Sequence, residues 1–266
     1  MCCLFLALGG HPQLPLVVAA NRDEFYGRAT EPARFWVDDG QILAGRDIEQ
    51  GGTWLGLTRS GRFAAVTNFR EPGRAKPDAP SRGHLVRDFL QGQDAPDQYI
   101  ADLAQIGANY NGFSIVVGTV GQLMYYSNRG EDPIQLDSGI YGLSNHLLDT
   151  TWPKIRRGKD KLKRLLATPA GPSASDLLNL LQDRTVADDK ELPQSGLELQ
   201  QERVLSPIFV AAESYGTRCS TAIRLSYDGS LDFTERTFPS HSVVPTTVRY
   251  DVELASPAGE PAHQVR

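Results

Sequence analysis

Residues 1–25 have the sequence MCCLFLALGGHPQLPLVVAANRDEF, and the fold is set from this stretch outward. Two short apolar runs, residues 3–8 and 14–20, flank a Gly-Gly-His-Pro segment that is typical of a turn. The pattern predicts an antiparallel β-hairpin, because a short turn returns the second strand beside the first. Polar residues 21–24 follow the second run, so we expect them where that strand ends.

Strand-like and helix-like segments occur in separate blocks along the rest of the chain. Strands are predicted at residues 41–44, 53–57, 62–69, 113–117, 123–127, 140–143, 208–212, 219–225 and 231–237. Helices are predicted at residues 82–90, 96–106 and 153–166, and after a capping signal at Ser173. Segregated blocks favour the α+β class over a doubly wound sheet. Two sheets packed face to face, with helices outside, would account for strand blocks so far apart in sequence.

No linker or repeat divides the chain, so we predict a single domain spanning residues 1–266. Residues 71–81 contain three prolines and charges of both signs, which predicts a mobile loop. The polar segment 185–201 is also predicted to be a loop. Residues 239–266 form a weakly patterned C-terminal tail.

The overall composition excludes several classes of protein. With 27 Lys and Arg against 32 Asp and Glu, the net charge is −5, and the chain lacks the concentrated basic face of a nucleic-acid protein. It has no apolar run of about 18 residues, so we expect no membrane span. We expect no signal peptide, because the apolar N-terminus lacks a basic region. Three cysteines form no disulfide framework, which favours a cytoplasmic location.

The pair Met1-Cys2 offers a nucleophile. Methionine aminopeptidase removes Met before a small side chain such as Cys, which would expose an α-amine beside the thiol. An unperturbed α-amine has a pKa of about 7.7–8.0, so it can accept the thiol proton without a histidine. Alternatively, Cys2 is simply a buried residue of the first strand, as Cys3 on the opposite face would be.

Residues 21–24 have two interpretations. They are a solvated turn, or they supply charges to the start of the first strand, which lies about 4.8 Å away in a hairpin. In the second case Asp23 would hold or orient the amino terminus, and Arg22 would favour the thiolate.

Three further polar residues end apolar or turn-like runs: Asn68, Asn145 and Arg218. An Asn amide can donate to the oxyanion that forms when a nucleophile adds to a carbonyl. Each of the three is otherwise an ordinary turn residue. The aromatic residues Phe35, Trp36, Trp54 and Phe69 flank these motifs, either as core or as a wall for an apolar acyl group.

Together these motifs resemble the NRDE proteins, also called the TANGO2 (transport and Golgi organization 2) family. The resemblance extends to about residue 238 and rests on the following ordered segments: Met1-Cys2, Ala19-Ala20-Asn21-Arg22-Asp23-Glu24-Phe25, Gly51-Gly52-Thr53-Trp54-Leu55-Gly56, Thr67-Asn68-Phe69-Arg70, Ser81-Arg82-Gly83, Tyr126-Ser127-Asn128-Arg129, Gly142-Leu143-Ser144-Asn145-His146 and Tyr215-Gly216-Thr217-Arg218.

The resemblance implies an N-terminal nucleophile (Ntn) hydrolase fold, a four-layer αββα sandwich. It also implies kinship with the choloylglycine hydrolases and penicillin V acylases, which cleave linear amides. On this basis the catalytic residues are Cys2, Asp23, Asn68, Asn145 and Arg218, and the substrate-binding residues are Asn21, Arg22, Trp54 and Phe69. Those hydrolases have an Arg where this chain has Ala20, and in a regular strand Arg22 lies on the face opposite Asn21 and Asp23.

Two functions follow as expectations. The first is a cysteine amidohydrolase acting on a small linear amide, with no cofactor. The alternative is a non-catalytic protein on the same scaffold that binds haem, a lipid or acyl-CoA. Neither requires nucleic acid, and a homo-oligomer is compatible with both.

Overall fold

The computed structural model describes residues 2–239 and 244–255. The strands are β1 (Cys2–His11), β2 (Leu14–Phe25), β3 (Thr30–Phe35), β4 (Ile42–Asp47), β5 (Leu55–Thr58), β6 (Arg62–Asn68), β7 (Phe113–Thr119), β8 (Gln122–Ser127), β9 (Ile134–Leu136), β10 (Gly139–Leu143), β11 (Tyr215–Leu225), β12 (Ser230–Thr237) and β13 (Thr246–Glu253). The helices are α1 (Arg82–Gln91), α2 (Pro96–Ile106), α3 (Pro153–Leu166), α4 (Ala174–Leu181) and α5 (Leu199–Leu205). Short 3₁₀ turns occur at Gly107–Asn109 and Asp189–Glu191.

These strands form two antiparallel sheets. The six-stranded sheet has the order β10-β1-β2-β11-β12-β13, and the seven-stranded sheet has the order β3-β4-β5-β6-β7-β8-β9. The predicted hairpin is therefore confirmed as β1 and β2, and it lies within the first sheet rather than at its edge. In the described part of the chain, no helix is both long and apolar enough to cross a membrane.

Strand β1 shows why the sheets stack. Leu4, Leu6 and Leu8 pack into the core between the two sheets. The alternate residues of the strand, such as Phe5, pack against α3 and α4 on the outer face. The Phe5 ring passes so close to α3 that a Cβ at Gly158 would lie 2.0 Å from it. A strand that is apolar on both faces must be covered on both, and this requirement produces a helix layer outside the sheet.

The seven-stranded sheet is covered in the same way. Its outer face packs on α1 and α2 through a cluster that includes Phe89, Ile100 and Ile115. The order of layers is thus helices, sheet, sheet, helices. The prediction of an α+β, four-layer αββα sandwich is confirmed.

Some elements differ from the sequence-based expectation. The predicted strand at residues 208–212 is wrong: Ala211 makes an isolated bridge with Gly216 instead. The Ile208 carbonyl oxygen is used by a side chain of another strand, so this segment forms no ladder. Helix α5 begins within the predicted loop 185–201, and β13 lies in the C-terminal tail, paired with β12.

Residues 71–81 contain no strand or helix. Strand β3, which the sequence did not predict, contains Pro32 and lies at the edge of its sheet, where a missing N–H is tolerated.

Candidate functional site

A cavity of about 320 Å³ opens where the ends of β1, β2 and β6 meet the start of α1. Its lining includes Cys2, Arg22, Asp23, Trp54 and Asn68. These residues come from widely separated parts of the chain, and the structure brings them to one place. The cavity is polar and carries charges of both signs.

Cys2 lies at the first position of β1, directly opposite Arg22 of β2. Directly paired residues project from the same face of a sheet, so thiol and guanidinium both point towards the cavity. Cys2 is half-buried. Burial raises the pKa of its thiol, and the charge of Asp23 adds to the rise, whereas Arg22 and a hydrogen bond from the Asp23 backbone N–H oppose it.

Asp23 is 1% exposed, and its carboxylate is held by a neighbouring strand. The Thr217 hydroxyl donates to Oδ1 at 2.7 Å, and the Tyr215 hydroxyl donates to the Asp23 carbonyl oxygen at 2.9 Å. Burial raises the pKa of this carboxyl, while Lys154 and the Thr217 hydrogen bond oppose the rise. Asp23 is thus a fixed, buried acidic residue in the part of the cavity that contains Cys2.

The Lys154 cation lies behind Asp23 and was missed by the sequence-based interpretation. Its side chain is 3% exposed, and its ammonium group donates to the Leu205 carbonyl oxygen at 3.0 Å. Burial lowers the pKa of Lys154, and Asp23 and Glu202 oppose that change. Helical spacing places Lys154 on the same face as the buried residues Gly158 and Leu162, and this pattern could have revealed it.

Asn68 differs from the other polar residues around the cavity. Its carbonyl oxygen accepts a hydrogen bond from Asn145 Nδ2 at 3.0 Å, but its carboxamide makes no hydrogen bond within the described residues. Asn68 is half-buried and lines the same cavity as Cys2. The backbone of Asn68 is therefore held in place, while its side-chain amide remains available within the described residues to donate a hydrogen bond in the cavity.

Asn145 supports this arrangement instead of lining the cavity. It is fully buried, and its backbone has a positive φ of 54°, which Asn tolerates better than most residues. Its carbonyl oxygen accepts from the Arg70 backbone N–H at 2.7 Å. The Ser144 hydroxyl lies 2.9 Å from the Cys2 carbonyl oxygen and 3.2 Å from Asn145 Oδ1. Ser144 and Asn145 thus connect the start of β1, at Cys2, to the end of β6, at Asn68.

Arg22 lies on the face opposite Asn21, as the alternation of the strand predicts. Its guanidinium donates to Thr30 Oγ1 at 2.9 Å and to Asp47 at 3.2 Å, and it stacks 4.4 Å from the Trp54 ring centre. Ala20 shares this face, since it is two residues away in the same strand. Arg22 therefore places a cation on the face of β2 that lines the cavity.

Besides Asn145, three predicted residues are not part of the cavity lining. Asn21 is buried on the outer face, where its amide donates to the Leu181 and Ile208 carbonyl oxygens and its Oδ1 accepts from Ser220. Phe69 stacks on the His146 ring with centroids 4.6 Å apart. Arg218 occupies a β-bulge of β11 and donates to the Phe25 and Arg28 carbonyl oxygens at 2.7 and 2.9 Å. Arg218 thus holds the backbone of Arg28, which lines the cavity, whereas Asn21 stabilises the outer side of the sheet.

Arg82 is the cavity residue whose significance the sequence did not reveal. It belongs to the Ser81-Arg82-Gly83 segment, but only the folded chain brings it to the cavity that Cys2 lines. Nothing in the local pattern distinguishes it from an ordinary residue in the first turn of a helix.

The comparisons with known proteins agree with this geometry. A family model described as "Transport and Golgi organisation 2" matches residues 1–240. The mouse "Transport and Golgi organization 2 homolog" and the human "Transport and Golgi organization protein 2 homolog" are each 36% identical over 260 residues, covering 89% of this chain and 92% of the relative. A solved structure titled "Caenorhabditis elegans N-acylethanolamine-hydrolyzing acid amidase (NAAA) ortholog" superposes with a TM-score of 0.50 at 13% identity, covering 84% of this chain and 92% of that one. This likeness shows the fold.

Proposed function

Because this chain belongs to the Transport and Golgi organisation 2 family and has an Ntn-hydrolase-like fold, we propose that it is an N-terminal cysteine amidohydrolase. Its substrate would be a small linear amide. The observation that carries the proposal is that the Cys2 thiol and the free Asn68 carboxamide line one cavity. The amidase named in the structural comparison is an amide-cleaving protein, which supports the choice of bond.

The proposed reaction begins with removal of Met1, which leaves the Cys2 nitrogen as a free α-amine. That amine takes the thiol proton, directly or through water, and the thiolate attacks the amide carbonyl carbon. The α-ammonium then protonates the departing amine, and water hydrolyses the thioester to free the acid and restore the thiol. No histidine and no cofactor takes part.

The surroundings of Cys2 suit this chemistry. Arg22 favours the thiolate by its positive charge, and the buried Asp23 carboxylate favours the ammonium form of the amine that must return the proton. The tetrahedral oxyanion would accept a hydrogen bond from the Asn68 amide. Asn145 is then a positioning residue, since its own amide holds the Asn68 backbone.

The test combines processing with turnover. Mass spectrometry of the purified chain is expected to show loss of Met1. A library of N-acyl amides, read by release of the amine, is expected to yield a substrate for the wild-type chain, and Cys2→Ala is expected to lower turnover by about 10⁴-fold or more.

Cys3→Ala is the matched control, because Cys3 is the adjacent cysteine but faces α3 and α4. This variant is expected to retain turnover. Retention of Met1 in a preparation that hydrolyses the amide, or undiminished turnover by Cys2→Ala, would overturn the mechanism.

A second candidate is non-catalytic binding of haem, a lipid or acyl-CoA, and one feature favours it. An apolar groove of about 350 Å³ lies between the end of β2 and α5, lined by Phe25, Val204, Leu205 and Tyr215 among others. If no amide in the library is cleaved, titration of the chain with haem and with a fatty acyl-CoA, followed by intrinsic tryptophan fluorescence, tests this candidate. The matched variant is Val204→Asp in the groove wall, which is expected to weaken such binding.

A further inference from the structure

Arg82 places a positive charge on the lining of the cavity that also contains Cys2. It is the first residue of α1 and is half-buried. Its guanidinium donates to the Gly112 carbonyl oxygen at 3.1 Å, and it has no ion-pair partner within 4 Å among residues 2–239 and 244–255. Burial lowers the pKa of Arg82, opposed by the more distant charges of Cys2, Glu24 and Glu71.

The other two arginines that line the cavity are already matched by carboxylates. Arg22 and Arg28 share Asp47, at 3.2 and 2.6 Å, and Arg28 also lies 3.4 Å from Glu49. Glu71, which acts on Arg82 from a distance, is itself paired with Arg129 at 2.7 Å. Arg82 is therefore the cavity arginine whose charge is left without a close counter-charge.

The backbone of Arg82 is rigidly placed. The Thr53 backbone N–H donates to the Gly83 carbonyl oxygen at 3.2 Å, and a Cβ at Gly52 would lie 2.5 Å from the Gly83 carbonyl carbon. The first turn of α1 thus packs against the Gly51-Gly52-Thr53 segment with no room for a side chain between them. Such a fixed cation can select a ligand by geometry as well as by charge.

We infer that Arg82 is a specificity-determining residue that binds a carboxylate carried by the substrate. A guanidinium has several donors in a fixed plane, and the bond to Gly112 uses one of them, so the others can bind a carboxylate in the cavity. Cys2 and Arg82 line the same cavity, so a single small molecule can contact both. The inference rests on the proposed function for turnover, but the binding step can be measured without it.

The experiment uses three chromogenic amides of the same length. Pentanoyl 4-nitroanilide is neutral, glutaryl 4-nitroanilide carries a carboxylate on the acyl side, and the pentanoyl amide of 5-amino-2-nitrobenzoate carries one on the amine side. The measured quantity is kcat/KM for each, in the wild-type chain, Arg82→Gln, Arg82→Lys and Arg28→Gln.

The wild-type chain is expected to prefer one carboxylated amide over the neutral one. Arg82→Gln should lower that preference by about 10- to 100-fold, as expected for loss of a hydrogen bond to a charged group. Arg82→Lys should retain part of it, and Arg28→Gln, which removes a cation already paired with Asp47, should retain most. If Arg82→Gln kept the full preference for the carboxylated amide, or if Arg28→Gln lost as much of it, Arg82 would not be the specific carboxylate-binding residue. Either result would overturn the inference.

A binding measurement separates this inference from the proposed function. The Cys2→Ala chain, with and without Arg82→Gln, is titrated with the same three amides, and the quenching of Trp fluorescence gives each Kd. If no amide is hydrolysed by the wild-type chain but a carboxylated amide binds in an Arg82-dependent way, the proposed reaction fails and the inference stands. If the carboxylated and neutral amides bind equally, the inference fails whatever the outcome for turnover.

Discussion

Cys3 and Asn21 lie on the outer face of the six-stranded sheet, whereas Cys2 and Arg22, one residue away on each strand, lie on the face towards the cavity. On the outer face these two side chains are enclosed by the protein. The carboxamide of Asn21 makes three hydrogen bonds, and Cys3 is wholly buried. At the cavity, Cys2 is half-buried and the carboxamide of Asn68 makes no bond within the described chain.

This comparison shows how structural and chemically available side chains of the same type can be told apart. A buried side-chain amide whose donors and acceptor all make hydrogen bonds stabilises the fold, because its removal leaves the other polar groups without partners. An amide that is held in place through its backbone, but whose side chain is free, can bind something that arrives later. Three predictions test this contrast.

The first prediction compares two asparagines. Asn68→Ala is expected to lower kcat on a confirmed amide by roughly 10²–10³-fold, the usual loss of one oxyanion donor, with little change in the urea midpoint of unfolding. Asn21→Ala is expected to lower the free energy of unfolding by about 1–3 kcal/mol, because Leu181, Ile208 and Ser220 lose a partner. If both variants lose stability and neither loses rate when folded, the contrast is wrong.

The second prediction compares the cysteines. Iodoacetamide applied to the native chain is expected to modify Cys2 at least about tenfold faster than Cys3 or Cys219, because the latter two are buried. Burial raises the pKa of Cys3 to about 12, so its thiolate is scarce as well as inaccessible. Peptide mapping after a timed reaction gives the three rates. Equal labelling of Cys2 and Cys3 would show that the two faces do not differ in accessibility.

The third prediction concerns the charge beside Cys2. Arg22 lowers the pKa of this thiol, so Arg22→Gln is expected to raise it further, and the alkylation rate at a fixed pH near 8 should fall by about three- to tenfold. In both proteins the rate should still be rising with pH at pH 9, because burial already raises the pKa above its usual value of 9.0. Arg46→Gln, in an exposed pair with Asp38, is the control and should leave the profile unchanged. Faster alkylation of Arg22→Gln than of the wild-type chain would show that Arg22 does not lower the pKa of the Cys2 thiol.

The layers of the fold could be predicted because they follow from local pattern. The apolar runs around Leu4 and Leu16 are covered on both faces, and the helical stripe that includes Leu85 and Phe89 has one buried side. The failures occurred where packing overrides pattern. Residues 208–212 have a strand-like composition, but their backbone groups bond to scattered partners, among them Asp183 and the Asn21 side chain. Helix α5 was missed because its sequence is polar, and much of its surface is exposed.

The candidate site was predicted in part. The sequence and its family resemblance identified Cys2, Arg22, Asp23, Trp54 and Asn68, and all five line the cavity. They also suggested Asn21, Phe69, Arg218 and Asn145, which are not part of its lining. Lys154 and Arg82 were missed because a lysine in a basic helix, or an arginine at a helix start, has the same local pattern whether it is solvated or buried.

By itself, the sequence determined the alternation of the strands, the hairpin that brings Cys2 to the level of Arg22, and the family. These features depend on residues that are close in the chain or on the order of motifs, so they can be predicted from the sequence alone. Only the tertiary structure decided that the Asn21 amide is fully hydrogen-bonded whereas the Asn68 amide is not. It also decided that Arg82 has no close counter-charge. The hydrogen bonds of Asn21 depend on partners more than a hundred residues away, such as Ser220, and the ion pairs of Arg22 and Arg28 depend on Asp47 in another strand. No local pattern encodes these contacts.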